Sequence, residues 1–145
     1  MRKRFIVYAA IFASCNVAAA PFTDADAKKL AMGMNTQLSE SRDQLNKLIK
    51  AGNPAAYRAQ VNEPLWSKLR AWPDKNLEGR AIFPYYACKE AALLLLQYGD
   101  AWALPSSNKS MDKAWREKKV GQFRESQEEC SAAIKNPDMS LKDIR

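Results

Sequence analysis

The sequence predicts an all-α fold: a small helical bundle in which two antiparallel helices form a hairpin stapled by a disulfide. Three observations point there. Apolar residues recur at three- and four-residue spacing, and no segment alternates as a half-buried strand would. Proline and glycine fall between the periodic runs. Two cysteines, Cys88 and Cys130, follow the N-terminal segment, which leaves a single intramolecular pairing.

The N-terminal segment reads as a cleavable export signal covering residues 1–19. Met1-Arg2-Lys3-Arg4 is a basic start, Phe5 to Ala13 is a short apolar run, and Val17-Ala18-Ala19 has the small-x-small form that signal peptidase cuts after. A membrane anchor fits less well. Phe5 to Ala20 is interrupted by Ser14, Cys15 and Asn16, and a spanning helix needs about 20 apolar residues. Phe12-Ala13-Ser14-Cys15 resembles a lipobox with Phe in the usual Leu position. Lipidation of Cys15 would tether the product to a membrane as an outer-membrane lipoprotein. Otherwise the expected location is the periplasm or the exterior, where thiols oxidise.

Removal of the signal lowers the net charge from +7 to +4, because Arg2, Lys3 and Arg4 leave and no acid does. The remaining cations interleave with acids, as in Arg116-Glu117-Lys118-Lys119, whereas a nucleic-acid footprint needs a clustered basic face. Nucleic acid is therefore not an expected partner.

The mature chain reads as one helical domain over residues 20–135, followed by a tail, 136–145, that frays. Thr23 or Asp24 caps a first helix that runs to Lys50, where Gly52-Asn53-Pro54 stops it. Ala27, Ala31, Met34, Leu38, Leu45 and Leu48 form its apolar stripe, with Ser41 as one polar member. A short helix fits Ala55 to Gln60. A second has Asn62 as cap, Pro64 in its first turn and Leu65, Leu69 and Trp72 as its stripe, before Pro73 ends it. Asp74 to Arg80 reads as a polar connection.

Pro84 suits the first turn of the central helix, which runs from Tyr85 to Ala103 and stops at Pro105. Lys89, Glu90, Gln97 and Asp100 share one narrow arc, and nearly all other positions are apolar, so this helix has to be surrounded. After a loop over Pro105 to Lys109, Ser110 caps a last helix to about Lys135, with Val120, Phe123, Cys130 and Ile134 as its stripe and Gly121 as a weak point. In an antiparallel hairpin, facing residues lie equally far from the turn. The pairs Cys88–Cys130, Trp102–Trp115 and Leu95–Phe123 all centre near residue 109, inside the loop.

Chemistry is sparse. The absence of histidine removes the commonest general base, the triads built on it and most catalytic zinc sites. No glycine-rich phosphate loop occurs. Ser110-Met111-Asp112-Lys113 has a serine–lysine spacing known from penicillin-recognising enzymes, but Ser110 is accounted for as a cap. No catalytic residue, metal site or cofactor is expected. The residues that suggest a partner surface are Trp66 with Arg70 one turn later, Tyr86 beside Lys89 and Glu90, and Leu93 within the polar arc. The alternative is that Trp66 packs under the first helix and Leu93 under the Pro54–Arg80 segment. The expected function is binding of another protein, as an inhibitor or immunity-type protein or an accessory subunit of an envelope assembly. The rivals are a cell-wall hydrolase with paired carboxylates and a carrier of a small apolar ligand.

Overall fold

Helix α1 spans Asp24–Ala51 and begins at a reciprocal cap. The Thr23 hydroxyl accepts from the Asp26 backbone N–H, and the Asp26 carboxylate accepts in return from the Thr23 backbone N–H at 3.0 Å. Two orphan donors of the first turn are thereby satisfied. The Thr23 hydrogen bonds also hold the Asp26 carboxyl below the usual carboxylate range. At the other end Gly52 takes a left-handed φ of 61°, and Gly52 and Asn53 donate to the carbonyls of Ile49 and Leu48. This is the glycine-closed C-terminus that the Gly52-Asn53-Pro54 run implies. The buried face is Ala27, Ala31, Met34, Leu38, Ser41, Leu45 and Leu48, the predicted stripe. Ser41 is tolerated inside it because its hydroxyl accepts from the Gln37 amide at 3.1 Å.

The computed structural model describes residues 22–73, 77–104 and 113–143. The export signal, Cys15 and the Ser110 cap lie outside the described residues. Within them, three further α-helices follow: α2 over Glu63–Arg70, α3 over Tyr86–Ala103 and α4 over Lys113–Lys135. The fold is all-helical, as predicted.

Four local details differ from the sequence reading. Residues 54–62 are not a free-standing α-helix but a 3-10 turn, Pro54–Ala56, leading into a π-turn, Arg58–Asn62, that runs on into α2. Asn62 is consequently helical and makes no cap; its side chain turns to α3 instead. Leu77–Tyr85 is a 3-10 segment that takes in the end of the polar connection expected over Asp74 to Arg80 and the expected first helical residue Tyr85, and it buries Ile82 and Tyr85. The segment expected to fray carries a 3-10 turn, Met139–Asp143, with Lys142 paired to Asp24 at the start of α1.

Helices α3 and α4 meet along their length. Cys88 is joined to Cys130, and further along Lys119 donates to Gln97 at 2.9 Å. The two contacts progress in opposite directions along the chain, as an antiparallel pair requires. Leu95 and Phe123, the expected middle pair, line one shared cleft. Trp102 meets the ring of Tyr57 edge-on, with centroids 6.5 Å apart. Helix α1 also runs against α4, through a polar seam in which Gln127 donates to Ser39 and Ser131 to Asn35. On α4 the buried positions are Phe123, Ser126 and Cys130, with the expected Val120 and Ile134 only half-buried. The helix continues unbroken through Gly121.

Gly99 is where α3 takes its closest neighbour. A Cβ there would stand 2.3 Å from the Tyr57 ring, inside any tolerable contact. Gly99→Ala is expected to destabilise the fold by about 1–3 kcal/mol through overpacking, read from urea unfolding. In a Tyr57→Leu background the same substitution should cost far less, the coupling expected of residues in contact. Reduction of the Cys88–Cys130 bond, which spans 42 positions, should lower stability by roughly 4 kcal/mol in the chain-entropy model. Urea unfolding with and without a reductant measures it.

Candidate functional site

The C-terminal end of α3 and the segment 57–70 enclose a groove of about 660 Å³. Its floor is built by Tyr57, Asn62 and Asp100. The Tyr57 hydroxyl lies 2.9 Å from Asp100 Oδ1 and 3.2 Å from the Leu96 carbonyl, so its one proton serves two acceptors. The Asn62 amide donates to the same Asp100 oxygen at 3.0 Å. The π-turn explains the placement. Asn62 stands on a helical backbone facing α3, and Gly99 lets the Tyr57 ring lie flat enough on α3 to reach Asp100. Burial, the larger cause, and the nearby Asp100 charge push the Tyr57 phenol well above its ordinary value.

The walls are Trp66 and Leu104, exposed by 40 % and 47 % although both are large and apolar. Charges surround them. Glu63 pairs with Arg58 at 3.4 Å and with Arg70 at 3.9 Å, all three at the groove. Arg70 therefore reaches back about two turns toward the Glu63 carboxylate at the rim. Such exposed pairs stabilise the fold by little, about 0–1 kcal/mol. Their effect is to hold polar groups in position around an apolar centre.

Of the four residues expected to form a partner surface, the structure brings Trp66 and Arg70 to this groove. Tyr86 is 44 % exposed but sits at the other end of α3, about 27 Å from Leu104 at 1.5 Å per helical residue. Leu93 is half-buried against the core. Tyr57, Arg58, Asn62, Glu63, Asp100 and Leu104 are the groove residues that sequence reasoning did not single out as a partner surface. Asp100 had a visible signal, an acid beside a glycine on the narrow polar arc of a mostly apolar helix. Its partners, 38 and 43 positions earlier, had none.

The carboxylates here are engaged: Asp100 accepts from Tyr57 and Asn62, and Glu63 accepts from Arg58 and forms an ion pair with Arg70. The one hydroxyl set against a carboxylate here, Tyr57 on Asp100, is buried, raised above its ordinary value and shared with the Leu96 carbonyl. Among the described residues no group of three or more His, Cys, Asp or Glu side chains could hold a metal, and no helix is long and apolar enough to cross a membrane. Comparison with protein-family models, with curated proteins and with solved structures finds no match for this chain.

The raised Tyr57 phenol sets the sign of one pH effect. A folded-state value above the unfolded one, about 10, means that its contribution is complete below pH 10 and is lost as pH rises beyond it. Tyr57→Phe is expected to cost about 1–2 kcal/mol at pH 7, from the hydrogen bonds lost to Asp100 and Leu96. It should also flatten the fall in stability above pH 10. Tyr85, likewise raised by burial, leaves a residual slope. Urea midpoints from pH 7 to 11 for both proteins test it.

Proposed function

We propose that this chain is an exported, non-enzymatic protein that acts by binding another protein through the Trp66 groove. The observation that carries the proposal is the joint exposure of Trp66 and Leu104 on one groove edged by Arg58, Glu63 and Arg70. An aromatic anchor in a concave site with a charged rim is the usual make-up of a binding hot spot, in which Trp and Arg are enriched. The partner suited to it offers an apolar side chain to seat between Trp66 and Leu104, flanked by groups that hydrogen-bond to charges of both signs. An inhibitor or immunity-type role, or an accessory role in an envelope assembly, would use such a surface. Export is supported by the basic-then-apolar N-terminus and by the Val17-Ala18-Ala19 cleavage site. The Cys88–Cys130 disulfide is compatible with that compartment.

The test places a photo-crosslinking residue at Trp66 in cells, with the exposed Lys47 on α1 as control, and identifies the protein joined. A partner captured from Trp66 and not from Lys47 is then titrated against variants. Trp66→Ala is expected to weaken the complex about thirtyfold, some 2 kcal/mol, and Arg70→Ala by a smaller factor. Thermal midpoints should stay nearly unchanged. Variants that unfold, or that bind as tightly as the parent, would defeat the proposal.

A further inference from the structure

A second cleft, sharing no lining residue with the Trp66 groove, opens between α1, α3 and α4. Its volume is about 380 Å³, inside the range of roughly 300–1,000 Å³ typical of small-molecule sites. The floor is apolar: Leu45 from α1, Leu95 from α3 and Phe123 from α4, with the half-buried Tyr98 and Val120 beside them. The rim carries Arg42, Lys119 and Arg124 against a single acid, Asp43.

These cations are not equivalent. Arg42 is neutralised, since two of its nitrogens reach the Asp43 carboxylate at 2.9 and 3.1 Å. Among the described residues Lys119 meets the neutral Gln97 amide oxygen at 2.9 Å and the Trp115 ring, 5.9 Å from its ammonium, and no carboxylate. Arg124 has no hydrogen bond or ion pair among the described residues. The rim thus presents two cations without a carboxylate partner above an apolar floor.

The charge order along α4 has no explanation in helix stability. Its first half, Lys113 to Arg124, holds five cations and one acid, while Glu125 to Lys135 holds three acids and one cation. The helix dipole favours the reverse, with acids near the N-terminus and cations near the C-terminus. A bound anion beside the first half would offset that disadvantage.

We infer that this cleft binds a small amphiphilic anion: one medium-length alkyl chain ending in a carboxylate or phosphate. The chain lies over Leu95, Phe123 and Tyr98, and the head group sits between Lys119 and Arg124. Partial desolvation makes charge-assisted contacts there stronger than on open surface. A concave, three-walled site takes one free chain and not the plane of a bilayer.

Isothermal titration of the oxidised protein with decanoate and with decyl phosphate, each below its micellar concentration, tests the inference. Saturable one-to-one binding is expected with both. Decanol and inorganic phosphate should each bind far more weakly, because each lacks half of the recognition. Lys119→Gln combined with Arg124→Gln is expected to raise Kd at least about fivefold, with unchanged thermal midpoint, since both residues are accessible. Trp66→Ala should leave the affinity as it is, which separates this site from the protein-binding groove. The inference is overturned by absence of saturable binding, by equal affinity for decanol or for inorganic phosphate, by indifference to the charge variants, or by binding only to anionic phosphatidylglycerol vesicles.

Discussion

Helix α3 is apolar over most of its circumference, with Cys88, Ala91, Ala92, Leu94, Leu95, Leu96, Gly99 and Ala101 all buried. A helix of that kind cannot stand against water on any broad face, so the chain has to wrap it. Helix α1 covers one side, the 54–70 segment covers another, and α4 closes the third and is bonded there through Cys130. Gly99 sets how closely the second wall can come, because any side chain at that position would displace Tyr57. The two clefts are consequences of this wrapping. Each forms at a seam where side chains of neighbouring walls leave space: the Trp66 groove between 57–70 and the end of α3, the cationic cleft between α1, α3 and α4.

The two seams differ in chemistry, and that difference is what gives the surface its functional character. At the Trp66 groove, charges of both signs are tied to one another and the apolar groups stand out from them, an arrangement suited to a protein surface. At the other seam the apolar groups lie deep and two cations stand over them without acids of their own, an arrangement suited to one small anion. The polar atoms that do converge, at Tyr57, Asn62 and Asp100, satisfy one another and fix the 57–62 segment to α3.

Much of this architecture was legible in the sequence where interactions are local. The cap at Thr23, the glycine stop at Gly52 and the seven-member buried face of α1 all follow from spacing and turn chemistry within a few residues. The disulfide was legible because only two cysteines, Cys88 and Cys130, follow the N-terminal segment, with one way to pair. Asn62 shows where local logic fails. Asparagine before a proline-led helix is a good cap, yet here the backbone runs helically through it, because the amide finds Asp100 across the groove. The 3-10 segment Leu77–Tyr85 was hidden for a similar reason: the apolar positions that dock it, Ile82 and Tyr85, have no helical period over so short a run. Met139–Asp143 packs on the Leu77–Tyr85 segment and Lys142 meets Asp24, all partners more than fifty positions earlier in the chain. At the candidate site, Trp66 and Arg70 were visible as an aromatic and a cation off the apolar stripe. Leu104 was not, because its exposure is decided by where α3 ends relative to its neighbours.

The proposed export into an oxidising compartment accounts for the disulfide and supports the partner proposal, and it is open to a direct measurement. Cells are fractionated, thiols are trapped at once with an alkylating reagent, and the chain is sized by intact-mass spectrometry. The account predicts a chain outside the cytoplasm that begins at Ala20, or at a lipid-modified Cys15, with Cys88 and Cys130 inert until a reductant is added. A cytosolic chain of all 145 residues with both of those cysteines alkylated would contradict it.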